Sequence, residues 1–332
     1  MRAAAAVLNA GNKIAILAGQ GALNARAELE EIAERLGAPV AKALLGKAVL
    51  PDDSPYTTGG IGHLGTQPSH WAMHNCDTVL ILGSTMPWID SYPKPGQARG
   101  VQVDINADRI GLRYPTEIGL VGDVKATLQG MIPLILRKSN RGFLTEAQSR
   151  MRDWNGLLDR IEQTNRSPLR PQMVVRAVSD LIAPDAVISL DCGANTYFAA
   201  RHLRIKAGQR LTSPGMLATM APGLPFAIAA QFAYPNRQSV AIVGDGGFAM
   251  LMAELSISCR SKSSCSKTIA CPRFASSKRI WVIPTMAAIC RSILSLSPRR
   301  AARTAFAAPI RPRFDRRLKP RFARRTRRWW RP

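Results

Sequence analysis

The stretch Val240-Ala241-Ile242-Val243-Gly244-Asp245-Gly246-Gly247-Phe248, continued by Ala249-Met250-Leu251-Met252-Ala253-Glu254-Leu255, decides the fold. An apolar run ends in Gly-Asp-Gly-Gly, and the pattern then turns helical. A buried strand that passes directly into a helix is the building unit of a parallel α/β sheet. Glycines at 244, 246 and 247 let backbone N–H groups approach a phosphate, and the following helix adds its N-terminal dipole. Asp245 offers a hard oxygen suited to Mg²⁺. The plainer alternative is a tight strand–helix turn without a ligand.

Just upstream, Thr219–Phe232 is rich in Gly, Ala and Pro and reads as a packed helix leading to strand Ser239–Val243. Before it, helix Pro171–Ile182 leads to strand Ala186–Leu190, which ends in Asp191-Cys192-Gly193-Ala194-Asn195. Asp191 either edges a ligand site or caps the helix that follows. These elements form one α/β unit over 171–257. A second unit spans 1–137. Its strands are read at 13–18, from Pro39, at Thr78–Leu82 and at Gly100–Ile105. A helix from Asn24 to Leu36 turns Ala27, Leu29, Ile32, Ala33 and Leu36 inward, and Gly37 stops it. Val121-Gly122-Asp123 is expected to open a helix through Ile135. Residues 138–170 read as a linker with a helix around Glu146–Gln163. The expected fold class is therefore α/β, with two doubly wound parallel-sheet units. Gly19-Gln20-Gly21 after the first strand is an incomplete dinucleotide fingerprint: Asn24 replaces the third glycine, and no acid ends strand two.

The charge is unevenly distributed. The chain of 332 residues carries 46 Lys and Arg against 22 Asp and Glu, a net +24. After Ile257 there are 21 basic residues and one acid, Asp315. Basicity is thus a property of the tail and does not mark the folded part as a nucleic-acid or membrane binder. Arg324-Arg325-Thr326-Arg327-Arg328-Trp329-Trp330 imitates a basic aromatic nucleic-acid patch, so a basic nucleic-acid-binding protein is one rival function. Of six cysteines only Cys76 and Cys192 precede residue 258, which fits a reducing cytosol and gives no disulfide framework. The N-terminus is too short in apolar residues for a secretory signal, and no run approaches the ~20 residues of a membrane span. A cytoplasmic protein is expected. His70 and His74 lie one helical turn apart near His63, but no carboxylate or Cys completes a metal spacing.

Residues 258–332 show no sustained period and are expected to form a disordered basic tail. Taking the third base of each codon with the first two of the next, the permitted codons from Arg260 to Cys271 spell L-K-I-V-V-L-K-N-D-S-L. That is a buried strand followed by Lys-Asn-Asp, a sensible continuation of an α/β sheet. The tail is therefore expected to be an out-of-frame translation. Genomic sequence across the codons for Leu255–Arg260 tests this; an uninterrupted frame relative to close relatives would refute it.

The chain resembles thiamine-diphosphate enzymes of the pyruvate oxidase, pyruvate:quinone dehydrogenase and acetolactate synthase class. In residues 1–137 the resemblance rests on Ile16–Gly21, Ala43–Lys47, Leu82-Gly83-Ser84, Val103–Asn106 and Val121-Gly122-Asp123. In residues 171–257 it rests on the segment around Met220 and the Gly244–Gly247 turn. It implies decarboxylation of a small 2-oxo acid, pyruvate above all, with thiamine diphosphate and Mg²⁺. It makes Asp245 the first protein ligand of the metal and Gly244, Gly246 and Gly247 the diphosphate turn. Met220 becomes the apolar prop of the bent cofactor, and Asp191, Gly193 and Asn195 fall at the diphosphate edge. Part of the family binds FAD in the central domain, where Gly19, Gly21, Gly83, Asp104, Asn106 and Asp123 match. The Gly59-Gly60-Ile61-Gly62 turn and Met86-Pro87-Trp88 with Tyr92-Pro93 favour the oxidase/dehydrogenase branch over an acetolactate synthase-like carboligase. The family is homo-oligomeric. Its glutamate-bearing pyrimidine domain and the second half of its diphosphate domain find no counterpart here, so the chain alone is expected to be inactive. An inert or merely FAD-binding α/β fragment is the non-enzymatic rival.

Overall fold

The computed structural model describes residues 1–163, 170–254 and 280–283. In chain order the first part comprises α1 (Arg2–Ala10), β1 (Ile14–Ala18), α2 (Arg26–Leu36), β2 (Val40–Lys42), β3 (Thr57–Gly60), α3 (Gln67–Asn75) and β4 (Thr78–Leu82). It continues with β5 (Arg99–Asp104), β6 (Ile118–Val121) and α4 (Val124–Met131). All neighbouring strands are parallel, in the order β3-β2-β1-β4-β5-β6. The chain therefore winds outward from β1 on one side and from β4 on the other. Between them lies the switch point at which open α/β sheets form a crevice.

Ile14, Ile16, Leu80 and Leu82 share one core with Leu8, Leu29, Ile32 and Leu128, whereas Ala15, Leu17, Val79 and Ile81 join Met73 and Tyr92 on the other face. Both faces are covered, which explains why these strands read as unbroken apolar runs. Gly37 stops α2 in the left-handed conformation, at φ 59°. Val121 closes β6, so the helix expected at 121–135 starts later: Asp123 caps α4 by accepting from Ala126 N at 3.0 Å, and Pro133 ends the helical stretch in a 3₁₀ turn.

The connecting helix α5 (Gly142–Glu162) holds to both sides. Gln148 donates to the Pro55 carbonyl at 3.0 Å. At its other end Asp159 and Glu162 meet Arg176, His202 and Arg204.

The second unit comprises α6 (Pro171–Leu181), β7 (Val187–Leu190), α7 (Ala194–His202), β8 (Arg210–Thr212), α8 (Gly223–Ala233), β9 (Ser239–Ile242), α9 (Asp245–Leu251) and β10 (Ile280–Ile283). Its sheet is also parallel, in the order β10-β9-β7-β8. The switch point falls between β7 and β9, where Leu190 lies opposite Ile242. Both units are thus doubly wound, as the sequence led us to expect. Two expectations need correction. The helix read from Thr219 begins only at Gly223, because Ala218 (φ 51°) and Ala221 (φ 88°) are left-handed. Within the tail, Ile280–Ile283 is a strand beside β9 rather than disordered chain. The remainder of 258–332, including the segment read in a second frame and the Arg-Trp cluster, lies outside the described residues.

Candidate functional site

The sequence-selected residues gather at the two switch points. At the β7/β9 switch, Asp191 follows β7 and is fully buried. Its N–H donates to the Ile242 carbonyl at 3.1 Å, and its Oδ1 accepts from Cys192 N at 2.9 Å. Its carbonyl accepts from the Thr196 hydroxyl, tying it to α7. Asn195 reaches across the switch, its Nδ2 donating to the Ile242 carbonyl at 2.9 Å. Gly193 takes φ 142° to turn the chain into α7.

Gly244 caps α9, and the Phe248 N–H donates to its carbonyl at 2.8 Å. Asp245 opens that helix and is exposed; its Oδ1 accepts from Gly246 N at 3.0 Å. A Cβ on Gly247 would fall 1.8 Å from Asp191 Oδ2, and one on Gly246 would fall 3.2 Å from the Met220 methyl. The Gly-Asp-Gly-Gly turn, Asp191, Asn195 and Met220 therefore form one cluster. Met220 itself is 47% exposed, at the rim of the turn rather than in a core.

The arrangement can be tested for a metal diphosphate. Asp191 Oδ2 and Asn195 Oδ1 are buried and have no hydrogen-bond partner. Both are acceptors, so what they lack is a cation or a hydrogen-bond donor. Among the described residues no group of three or more His, Cys, Asp or Glu is placed to hold a metal ion. Mg²⁺ binds through one or two carboxylates together with phosphate oxygens and water. The residues present fit Mg²⁺ with a diphosphate. The resemblance also implies a second ligand, an Asn some two dozen residues after Asp245, but the sequence there reads Lys267-Thr268-Ile269 and offers none.

At the β1/β4 switch, Gly19, Gly21, Gly83, Asp104 and Asp123 line a cavity of about 740 Å³, which also takes in Asp191 and Gly193. Its apolar walls include Leu44, Leu45, Met86 and Trp88, and Ser213–Ala218 close it from the second unit. The glycines at this switch serve the chain itself. A Cβ on Gly83 would lie 2.5 Å from Gly21 Cα, and one on Gly19 2.4 Å from the Gly83 carbonyl. The N–H groups of Gly19 and Gly21 are already donated to the carbonyls of Leu82 and Gly83. Their primary role is close backbone packing, which shapes the cavity floor. Asp104 Oδ1 accepts from Asn106 N at 3.0 Å, and the Asn106 side chain accepts from Asp108 N at 2.9 Å. Asn106 is occupied with that local turn and is not part of the cavity lining, contrary to the expectation from its place in the sequence.

One group behind the wall had no signal in the sequence. Lys42, 1% exposed, donates to Asp52 Oδ1 at 2.6 Å and to the Leu50 carbonyl at 2.9 Å. Burial alone would raise the Asp52 carboxyl, but the ammonium groups of Lys42 and Lys47 outweigh it and hold the carboxyl at about 2. Burial pushes the Lys42 ammonium below its ordinary value, against the pull of Asp52. A lysine ending a short strand and an aspartate ten residues on form no recognisable motif. The His70 and His74 rings, 5.9 Å apart, bond to the carbonyls of Gly62 and Asp90, consistent with structural roles. Among the described residues no helix is long and apolar enough to cross a membrane.

Comparison with known proteins agrees with this geometry. Residues 1–131 match the thiamine pyrophosphate enzyme central domain. Residues 191–266 match the C-terminal TPP binding domain of thiamine pyrophosphate enzymes. The putative thiamine pyrophosphate-containing protein YdaP of Bacillus subtilis (strain 168) is 40% identical over 248 residues, covering 75% of this chain and 43% of its own length. Pyruvate oxidase of Lactiplantibacillus plantarum is 30% identical over 249 residues, 75% of this chain and 41% of its own length. The acetolactate synthase large subunit of Parasynechococcus marenigrum is 31% identical over 244 residues, 71% and 39% of the two chains. The chain spans less than half the length of these relatives. With a central domain and a TPP-binding domain that match in order, the chain belongs to the thiamine pyrophosphate enzyme family.

Proposed function

We propose that this chain carries the metal- and diphosphate-holding part of an enzyme that decarboxylates a 2-oxo acid, pyruvate above all, in the manner of pyruvate oxidase or pyruvate dehydrogenase. The observation that carries the reading is the cluster at the β7/β9 switch. There two buried oxygens without partners, Asp191 Oδ2 and Asn195 Oδ1, adjoin the Gly244–Gly247 turn. Thiamine diphosphate, when bound, supplies a nucleophilic carbon and an electron sink for loss of CO₂. The chain's own residues bind and orient it. Asp245 would be the residue to hold Mg²⁺ there, and the missing Cβ of Gly246 and Gly247 leaves room for the Met220 methyl and the Asp191 carboxylate beside the turn. Met220, at the rim of the turn, would support the cofactor when bound.

Calorimetric titration of the full chain with thiamine diphosphate and Mg²⁺ tests this without requiring turnover. Asp245→Ala should weaken binding about tenfold or more, equivalent to ~1.4 kcal/mol. Equal binding by both proteins would overturn the assignment.

A second observation supports a flavin in the central domain. The cavity of about 740 Å³ joins the β1/β4 switch, where nucleotides bind in doubly wound sheets, to an apolar wall holding Trp88. FAD would suit that shape, and Asp104 and Asp123 would offer acceptors to its ribose hydroxyls. A flavin spectrum on the purified protein, or quenching of added FAD, checks this. The pyruvate oxidase and acetolactate synthase relatives are equally similar at 30% and 31% identity. Product analysis with pyruvate separates them: CO₂ release with electron transfer supports the oxidase branch, and a carboligated product supports the other.

A further inference from the structure

The two units meet over a narrow contact. Among the described residues, five hydrogen bonds link residues 1–137 with 171–254, and each ends on residues 200–207. Arg26 donates to the Ala207 carbonyl at 2.8 Å, Lys47 to the Ala200 carbonyl at 3.1 Å, and Arg201 to the His63 carbonyl at 3.1 Å. Asp52 contributes a reciprocal pair: its N–H donates to the Ile205 carbonyl at 2.9 Å, and its Oδ2 accepts from Ile205 N at 2.7 Å. Asp52 also joins Lys42 and Lys47, so one carboxylate holds two largely buried ammoniums and the backbone of the other unit.

This contact lies at one end of α7 and the cavity at the other. Gly193 and Thr196, at the start of α7, line the cavity, and Ala200 lies near its end. Lys42 and Lys47 bracket Ala43, Leu44 and Leu45, which form the facing wall. Opposite that wall, a Cβ on Gly215 would fall 2.9 Å from Leu45 Cδ2. A helix fixed at one end transmits its angle to the other, because its backbone is rigid over these few turns. The geometry points to Asp52 as a positioning residue: with Lys42 and Lys47 it docks the far end of α7 and thereby sets the separation of the cavity walls at Leu44–Leu45 and Ser213–Ala218. This role does not depend on which ligand the cavity takes.

Amide hydrogen exchange of the full chain tests it. Asp52→Asn preserves the shape of the side chain but removes the charge that compensates the lysines. Exchange of the bonded amides of Asp191, Thr196 and Ala218, remote in sequence from the substitution, should accelerate roughly tenfold through local opening. The strands β1, β4, β7 and β9 should keep their protection. Lys47→Met removes only the bonds of one ammonium and should shift the same three amides by a smaller factor, so it reports if Asp52→Asn does not fold. A purely local structural role would change only residues near 42–52 and 200–206. Unchanged exchange at Asp191, Thr196 and Ala218 in a variant that folds would overturn the proposal.

Discussion

Gly247 faces the carboxylate of Asp191 with no space for another carbon. Its Cβ would lie 1.8 Å from Asp191 Oδ2, and Asp191 is held in place by its backbone bond to Ile242 and its link to Thr196. Gly247→Ala should therefore cost about 1–3 kcal/mol, as overpacking does, and should displace the carboxylate from the turn. Urea denaturation measures the first effect, and titration with thiamine diphosphate and Mg²⁺ the second. Ala221 presents the opposite case. Its left-handed backbone, φ 88°, costs a residue with a Cβ about 1–2 kcal/mol. Ala221→Gly should thus be neutral or stabilising, despite glycine's greater freedom in the unfolded chain. Ala227→Gly, in the middle of α8, should lose about 1 kcal/mol. Equal losses at both positions would show that the strain at Ala221 is not real.

Among the elements, α5 and the loop after β2 have the most to report. The Glu162 side chain, at the end of α5, is fully buried, and it meets His202 Nδ1 at 2.8 Å and Arg176 Nη1 at 2.9 Å. Removing it leaves His202 without its buried acceptor, while Arg176 keeps Asp159 and Asp180. Glu162→Ala should cost about 1–3 kcal/mol in chemical denaturation. Asp52 makes a prediction about pH. Its folded value of about 2 lies below the ordinary aspartate value near 3.9, so its contribution is complete above that ordinary value. It fades as pH falls from about 4 through 2, by ~2 kcal/mol in all. Denaturation midpoints between pH 5 and 2 should fall less steeply in Asp52→Asn than in the parent protein.

For the molecule as a whole, the segment between the two units behaves as part of the structure. Residues 138–170 read as a linker, yet α5 bonds to Pro55 on one side and to Arg176 and Arg204 on the other. Limited proteolysis should leave 142–162 attached to resistant material, and rapid cleavage inside that span would contradict the docking. The excess positive charge follows from composition alone and belongs to the chain after residue 257. Any binding to DNA should be steeply salt-dependent and should disappear when 258–332 is deleted.

The sequence by itself determined the fold class. Unbroken apolar runs at Ile14–Ala18, Thr78–Leu82 and Ser239–Ile242, each followed by glycine or a turn, permit only strands buried on both faces. It also located the Gly244–Gly247 turn, because glycine and an acid between a strand and a helix leave a pattern that local physics can read. β3 and β8 left no such mark: Thr57–Gly60 and Arg210–Thr212 are short, polar or glycine-bearing, and only pairing makes them strands. The meaning of Gly21 and Gly83 was equally hidden, since each is required by the other's backbone 62 residues away. The same holds for Asp52. Its role arises from Lys42, Lys47 and Ile205 arriving around one carboxylate, and no local pattern encodes which distant groups the fold will bring together.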